Sequence, residues 1–346
     1  MTENPIAELV DLEALERFID EHVPGSSGPL MVEKHVAGFS NETFYVSRGA
    51  DQWVMRRPPR GPLLPTAHDV LREYRFISAL YGKARVPRPI AACEDPGVIG
   101  APFYLMEREH GVVIRAAMPP AYDTPEGRRK VGEEMIDTLV ELHAVDWQEA
   151  GLSGKPEGYL ARQVKRWSSQ WEHTRPRTRD LPGLDEVTRW LEANLPADGG
   201  ITVVHGDYKL DNVMFDANEP TLIAIFDWEM ATIGDPLADL GWLLSYWHDP
   251  AQPVGENEQP RLTAAEGFPS IEEMTARYEA KSGRSMRNFP FYHVLAVYKL
   301  AIILEGLYMH YLEATASNPE SVRFEWQVPQ LIERAQRIIA ASERGS

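Results

Sequence analysis

A dense group of polar side chains stands in the stretch VVHGDYKLDNVMFD, between two short apolar segments. Asp207 and Asn212 are five residues apart, and Asp227 follows fifteen residues after Asn212, at the end of the apolar run LIAIF. A chain that turns back between them brings the three side chains together. The oxygen atoms of Asn212 and Asp227 are ligands that suit Mg²⁺, which also binds phosphate groups. Asp207 is then left to accept a proton from a hydroxyl group, which is the chemistry of phosphoryl transfer.

Each of these residues also has an ordinary structural explanation. Asp207 and Asn212 are of types common in turns, and an aspartate such as Asp227 often caps a helix. The order H-x-D-x-x-x-x-N with a later Asp, between apolar strands, favours the catalytic interpretation. A metal-dependent hydrolase that uses these aspartates with His205 and Asp235 is a further alternative, but a dinuclear site usually recruits more histidines near the acids.

The segments HGDYKLDN and IFDWEMATIGDPLADLGWLL resemble the aminoglycoside phosphotransferase and choline kinase superfamily, whose members are protein-kinase-like enzymes that act on small molecules. The detail is most similar to the kinase-like domain attached to some acyl-CoA dehydrogenases. The resemblance extends over about residues 30–315. It implies ATP and Mg²⁺ as cofactors and a hydroxyl group of a small molecule as the acceptor.

The resemblance implies a role for each residue of the catalytic segment. Asp207 is the catalytic base, or at least the group that orients the attacking hydroxyl. Lys209 contacts the γ-phosphate, unless it faces solvent. Asn212 and Asp227 hold Mg²⁺, while His205 supports the loop. Glu229 is expected to assist the metal through water. Asp235 and Asp239 are expected to anchor the catalytic loop by hydrogen bonds to its backbone.

The N-terminal part offers candidate contacts to the nucleotide phosphates. Arg56 stands where protein kinases carry a strand lysine, and Glu73 on the next helix is expected to pair with it, because guanidinium binds carboxylates and phosphates well. Arg57 alternates to the other face of the strand and is expected to point outward. The phosphate loop AGFSNETFYV has one glycine. Ser40 and Asn41 are the expected phosphate donors there, although a plain β-turn fits equally well.

The resemblance also implies a hinge for the adenine base in LMEREHG. The base is expected to bond backbone groups near Glu107 and Glu109. Met106 is expected to pack beside it.

Apolar periodicity and turn residues distribute these segments over two lobes. The first, residues 1–107, contains a helix over 6–22, three short strands between 31 and 58, a helix capped by Thr66 and ended by Gly82, and a strand in GAPFYLMERE. The second, residues 108–346, is mainly helical, with short strands around 201–227. The pattern thus predicts an α+β, bilobal architecture with a small β-rich N-lobe and a larger helical C-lobe, and the resemblance implies that this is a protein-kinase-like fold. The helices predicted in the C-lobe cover 123–145, 158–173, 184–195, 270–281, 291–315 and 326–342.

Composition limits the partners and the compartment. The 346 residues include 35 Lys plus Arg and 52 Asp plus Glu, which gives a net charge of −17 and argues against nucleic-acid binding. One cysteine, Cys93, allows no intramolecular disulfide. The apolar run HVLAVYKLAIILEGLYM contains Lys299 and Glu305, so we expect a buried helix rather than a membrane span. The N-terminus lacks signal-peptide features. We therefore expect a cytoplasmic monomer or homodimer with neither membrane nor nucleic-acid partners.

The phosphate acceptor is the least constrained part of the prediction. A pocket for a polycationic aminoglycoside needs several carboxylates, whereas the helix VLAVYKLAIILEGLYMHYLEA is mainly apolar, which favours a hydroxy acid or its acyl thioester. A true aminoglycoside kinase stays an alternative. So does a nucleotide-binding pseudokinase without turnover, which the single-glycine loop and Arg56 suggest. The residues expected to surround the acceptor molecule are Tyr208, Trp228, Trp167, Trp171, Tyr298, Glu305, Tyr308 and His310.

Overall fold

The computed structural model describes residues 9–35, 41–59, 69–197, 200–250, 261–313 and 319–344. The smaller lobe contains an antiparallel sheet with the strand order β1-β2-β3-β5-β4. Its strands, rich in Val, Phe, Tyr and Met, are β1 (Leu30–His35), β2 (Glu42–Arg48), β3 (Asp51–Arg57), β4 (Pro89–Cys93) and β5 (Phe103–Glu107).

The two faces of this sheet have different neighbours. Helix α1 (Leu12–His22) covers one face and packs with Trp53, Met55 and Phe103 in a separate small core. The opposite face belongs to the main core and meets helix α2 (Val70–Leu80). Because successive strand residues alternate between faces, β3 directs Arg56 toward α2 and Arg57 toward α1.

The prediction that Arg57 points outward is wrong. The Arg57 side chain is 3% exposed, lies near Glu42 at 3.6 Å and donates to the carbonyl of Leu9. The prediction that Arg57 lies on the opposite face of the strand from Arg56 is correct. That face is not exposed to solvent, because α1 covers it.

Helix α2 begins with a side-chain cap that differs from the predicted one. Thr66 lies outside the described residues, and Asp69 is the N-cap, since its carboxylate accepts a hydrogen bond from the backbone N–H of Arg72 at 2.9 Å. Gly82, with a φ of 77°, follows the end of the helix, as predicted.

The larger lobe is mainly helical. Six of its helices match predicted ones, and α6 was not predicted; an apolar pattern all round its surface gives no clear helical period. The helices are α3 (Pro125–His143), α4 (Tyr159–Thr174), α5 (Pro182–Ala193), α6 (Leu237–Tyr246), α7 (Ile271–Ser282), α8 (Phe289–Leu312) and α9 (Phe324–Arg344). Helix α8 is long and apolar enough to span a membrane by length and composition, but 72% of its apolar window is buried inside the protein, as predicted.

Two small antiparallel sheets lie in the larger lobe and carry the polar segments. Strand β6 (Thr202–Val204) pairs with β9 (Thr232–Gly234), and β7 (Val213–Phe215) pairs with β8 (Leu222–Ile225). The loop after β6 and the turn after β8 therefore lie side by side. The α+β, two-lobed architecture is the predicted one, whereas the boundary between residues 107 and 108 stays a prediction.

Candidate active site

The loop after β6 is held from below by one buried carboxylate. Asp239 accepts hydrogen bonds from the backbone N–H of His205 at 2.6 Å and of Gly206 at 2.8 Å. Burial favours the neutral form of Asp239, but its hydrogen bond with His143 and the backbone donor outweigh burial and hold its pKa below the usual range. The predicted backbone bonds of Asp239 are thus confirmed. The described bonds of Asp235 instead go to Leu237 and to the Tyr292 hydroxyl, which fastens α6 to α8.

A glycine is needed in this loop for two reasons. Gly206 has a φ of 83°, and a Cβ atom there would lie 2.7 Å from the carbonyl oxygen of Met230. The loop backbone can therefore pack tightly against the segment that follows Asp227.

Asp207 stands at the centre of a hydrogen-bond network. Lys209 Nζ lies 2.9 Å from Oδ1 and 2.8 Å from Oδ2. Asn212 Nδ2 donates to Oδ2 at 2.7 Å, and Trp242 Nε1 donates to Oδ1 at 2.7 Å. The sequence analysis placed Lys209 near the phosphate and did not include Trp242. No local signal could have found Trp242, because it is thirty-five residues away on α6.

The two predicted metal ligands lie on neighbouring strand ends. The backbone N–H of Phe226 donates to the carbonyl of Asn212 at 2.8 Å, which places Asp227 next to Asn212 along the hairpin. Asp227 has a φ of 64° and a ψ of 61°, a left-handed conformation that is costly for a residue other than glycine and that is typical of functional sites. His205 Nε2 and the carbonyl of Phe226 lie 2.8 Å apart, so His205 supports this turn.

The donor chemistry fits Mg²⁺. Asn212 Nδ2 is occupied by Asp207, which leaves the amide oxygen for a cation. The described residues contain no cluster of three or more His, Cys, Asp or Glu side chains suited to a metal. A site with one carboxylate and one amide oxygen leaves positions for phosphate oxygens and water, which is the usual manner of Mg²⁺ binding beside a nucleotide.

Arg56 on β3 and Glu73 on α2 form an ion pair, as the sequence indicated. Arg56 Nε is 3.4 Å from Glu73 Oε2, and Arg56 Nη2 is 3.3 Å from Asp227 Oδ1. Glu73 also accepts the backbone N–H of Trp228 at 3.2 Å. Burial, together with the nearby charges of Asp227 and Glu229, outweighs the attraction of Arg56 and raises the pKa of Glu73 to about 7. This pair links the sheet, α2 and the predicted metal ligand.

The remaining predicted nucleotide contacts are less clearly defined. Ser40 lies outside the described residues, whereas Asn41 is buried, with its Nδ2 3.5 Å from Glu229 Oε2. Met106 is buried in the main core beside Val54. The backbone N–H of Glu107 donates to the carbonyl of Arg88 at 2.8 Å, so it is not free to bond adenine. Glu109 lies beyond the end of β5 and is half-buried. All site assignments stay predictions.

A cavity of about 520 Å³ opens beside the catalytic loop. Gly206, Asp239 and Trp242 line it on the loop side, and three cations, Arg72, Arg166 and Lys299, also line it. Lys299 Nζ donates to the carbonyl of Gly206 at 2.9 Å, and burial lowers the pKa of Lys299 to about 8.

Of the residues expected to surround the acceptor molecule, only Trp167 lines this cavity. Several others have structural partners instead. Tyr208 donates to the carbonyl of Met135, and Glu305 accepts two hydrogen bonds from Arg179. Sequence alone could not separate these buried polar residues of the core from the cavity wall.

Comparison with known proteins agrees with this geometry. Residues 32–276 match the model of the phosphotransferase enzyme family. The chain is 35% identical over 339 residues to acyl-CoA dehydrogenase family member 11 of Gallus gallus; the match covers 94% of this chain and 43% of the chicken protein. The chain thus spans less than half of that relative.

Solved structures show the same fold. A provisionally assigned aminoglycoside phosphotransferase from Ralstonia eutropha is 34% identical, with a TM-score of 0.81 and coverage of 95% of this chain and 99% of that one. The GDP and kanamycin complex of APH(2")-IIia shares the fold at 18% identity, with a TM-score of 0.59 and coverage of 94% and 98%. The chain belongs to the phosphotransferase enzyme family and has the fold of the aminoglycoside phosphotransferases.

Proposed function

We propose that the protein transfers the γ-phosphoryl group of ATP, in a Mg²⁺-dependent reaction, to a hydroxyl group of a small acidic molecule. The observation that carries the proposal is the arrangement around Asp207, which lies within hydrogen-bond distance of Asn212 and Lys209, directly after a glycine that lines the cavity. One of the structural neighbours is a complex with GDP, so the preference for ATP over GTP belongs to the proposal.

The chain's own residues supply positioning and charge. Asp207 accepts the proton of the acceptor hydroxyl as the oxygen bonds to the γ-phosphorus and the bond from that phosphorus to the leaving ADP oxygen breaks. Lys209, whose Nζ bonds both carboxylate oxygens of Asp207, would turn toward the transferred phosphoryl group. Arg56, fixed by Glu73, points its guanidinium toward Asp227 and can meet phosphate oxygens there. Mg²⁺ bound by Asn212 and Asp227 would neutralise phosphate charge.

The charges of the cavity favour an acceptor with an anionic group. Among the cations on its wall, Lys299 has a neutral carbonyl as its hydrogen-bond partner, and Arg166 forms no ion pair with any described residue. The three acids on the wall each have a partner: Asp239 holds the loop backbone, Asp69 caps α2, and Glu229 Oε2 lies 3.5 Å from Asn41 Nδ2.

Lys299 and Arg166 would therefore attract the anionic group of a hydroxy acid or its acyl thioester more than the amino groups of a polycationic aminoglycoside. The chain's similarity to a protein named as an acyl-CoA dehydrogenase family member supports the same acceptor class. The cytoplasmic location and the monomeric or homodimeric state stay predictions.

The central residue can be tested with a matched pair of variants. Asp207→Asn should bind Mg·ATP with roughly the wild-type affinity while turnover falls by about 10²–10⁴-fold, because a positioned base contributes that much. Asp211→Asn, in the same loop, is the control, since Asp211 is exposed and its ion-pair partner Arg115 is 4.0 Å away. Equal turnover in the two variants would remove Asp207 from the mechanism.

Nucleotide binding tests the metal ligands separately. Asp227→Ala should abolish the Mg²⁺ dependence of ATP binding in calorimetry, because the carboxylate ligand is lost. Unchanged Mg·ATP affinity would contradict this assignment. Tight Mg·ATP binding by the wild-type protein without turnover on any acceptor would instead support the pseudokinase alternative.

A further inference from the structure

The hydrogen-bonding capacity of the Asp207 carboxylate is fully used. Lys209 Nζ contacts both oxygens, Asn212 adds a donor at Oδ2, and Trp242 adds one at Oδ1. Each oxygen thus has two donors, which matches its two lone pairs. An acceptor hydroxyl can bond to Asp207 only after one of these donors moves away.

Trp242 differs from Lys209 in what else it can bind. Once Mg·ATP is bound, a phosphate can take the ammonium group of Lys209. Asn212 would bind Mg²⁺ through its amide oxygen, so its Nδ2 keeps the bond to Asp207 Oδ2. Trp242 is on α6, its side chain is 4% exposed, and an indole N–H is a donor only. It therefore keeps its bond to Asp207 when Lys209 turns to the nucleotide.

Trp242 is itself held from both sides. Lys299 Nζ lies 3.6 Å from the centre of the indole ring and donates to the carbonyl of Gly206 at 2.9 Å. Tyr246 packs against the ring edge-on, at 5.1 Å between centroids. Lys299 thus connects the indole to the backbone immediately before Asp207, and both Trp242 and Lys299 line the cavity.

We propose that Trp242 is a positioning residue for phosphoryl transfer: its indole N–H fixes the rotation of the Asp207 carboxylate so that an oxygen released by Lys209 meets the acceptor hydroxyl. The inference rests on the proposed function. A carboxylate turns easily about its side-chain bonds, and a rigid donor limits that rotation. Small errors in the position of a reacting group reduce rates strongly.

The test removes the N–H and keeps an aromatic ring. Trp242→Phe should lower kcat by about 10- to 100-fold, the loss expected for one hydrogen bond to a charged group, while KM for Mg·ATP changes less than about twofold. Turnover is measured as ADP release in two assays. In one, water is the only acceptor; in the other, the best acceptor from a panel of hydroxy acids and their thioesters is present. The control is Trp247→Phe, because Trp247 is buried and donates to the carbonyl of Pro269 at 2.8 Å, away from Asp207.

A spectroscopic measurement separates positioning from general damage to the fold. The indole ¹H–¹⁵N resonance that is absent in Trp242→Phe should move, and exchange faster with solvent, in Asp207→Asn; the resonance that is absent in Trp247→Phe should not. Equal kcat for the two tryptophan variants, or an unmoved Trp242 resonance, would overturn the inference while leaving kinase activity intact. No turnover by the wild-type protein would instead refute the proposed function, and this role with it.

Discussion

Glu73 gives the protein a pH dependence of stability that can be calculated in sign and size. The side chain is 1% exposed, and its pKa rises from 4.5 to about 7. Burial is the largest cause, the charges of Asp227 and Glu229 add to it, and Arg56 opposes it. The folded protein therefore holds a proton on Glu73 over a pH range in which the unfolded chain has released it.

The sign follows from this difference in proton binding. The stabilisation is fully present below pH 4.5 and is lost as the pH rises through about 7. At about 1.4 kcal/mol per pKa unit, the loss amounts to up to about 3 kcal/mol of unfolding free energy. Glu73→Gln keeps the shape and the acceptor for the Trp228 N–H, but it has no proton to lose, so its stability should not contain this loss.

The assay is urea denaturation of the wild-type protein and Glu73→Gln at several pH values between 5 and 8. The difference in unfolding free energy between the two proteins contains the contribution of Glu73 but not those of the buried histidines His143 and His293. Burial lowers the pKa of both, so their contributions to stability increase with pH and appear in both proteins. Wild-type stability should fall relative to Glu73→Gln as the pH rises. Curves that run parallel across this range would refute the argument that burial dominates at Glu73.

Three further predictions concern the residues around the cleft. Arg56→Met should lower the unfolding free energy by about 3 kcal/mol at pH 8 and by less at pH 5, because it leaves the Glu73 carboxylate buried without its partner; an equal loss at both pH values in urea denaturation would contradict this. Gly206→Ala should destabilise the protein by at least ~1 kcal/mol more than Gly283→Ala. Both glycines have positive φ, but only Gly206 has a backbone oxygen 2.7 Å from the added carbon. Equal losses of stability in thermal denaturation would rule out the steric argument. Arg166→Glu should raise KM for an acidic acceptor about tenfold, as a charge pair near a partly exposed site is expected to do, with KM for Mg·ATP unchanged; the reverse pattern would place Arg166 at the nucleotide.

The catalytic segment was predictable because its functional residues are close together in the sequence. Asp207 and Asn212 are separated by one tight turn, and the strands on both sides have clear apolar patterns. The same holds for Arg56 and Glu73, since a strand followed by a helix brings two such positions together. These short-range relations need little information about the tertiary structure.

Other features depend on which elements meet in space. The bond from Trp242 to Asp207 joins residues of α6 and the loop after β6, and α6 itself lacks a helical apolar period because it is buried on all sides. The burial of Arg57 depends on the segments around Leu9 and Ile99, which are distant in sequence. Backbone bonds such as the one from Glu107 to Arg88 leave no trace in residue types, so the hinge could be located only approximately.

The most direct test of the central claim is transfer of label from [γ-³²P]ATP to a small molecule. Wild-type protein would be incubated with and without Mg²⁺, with hydroxy acids, their CoA esters, choline and aminoglycosides as separate acceptors. We predict Mg²⁺-dependent label in an acidic hydroxyl compound, lost in Asp207→Asn and kept in Asp211→Asn. Label in an aminoglycoside alone would contradict the acceptor class, and no labelled product from any acceptor despite Mg·ATP binding would contradict the kinase activity itself.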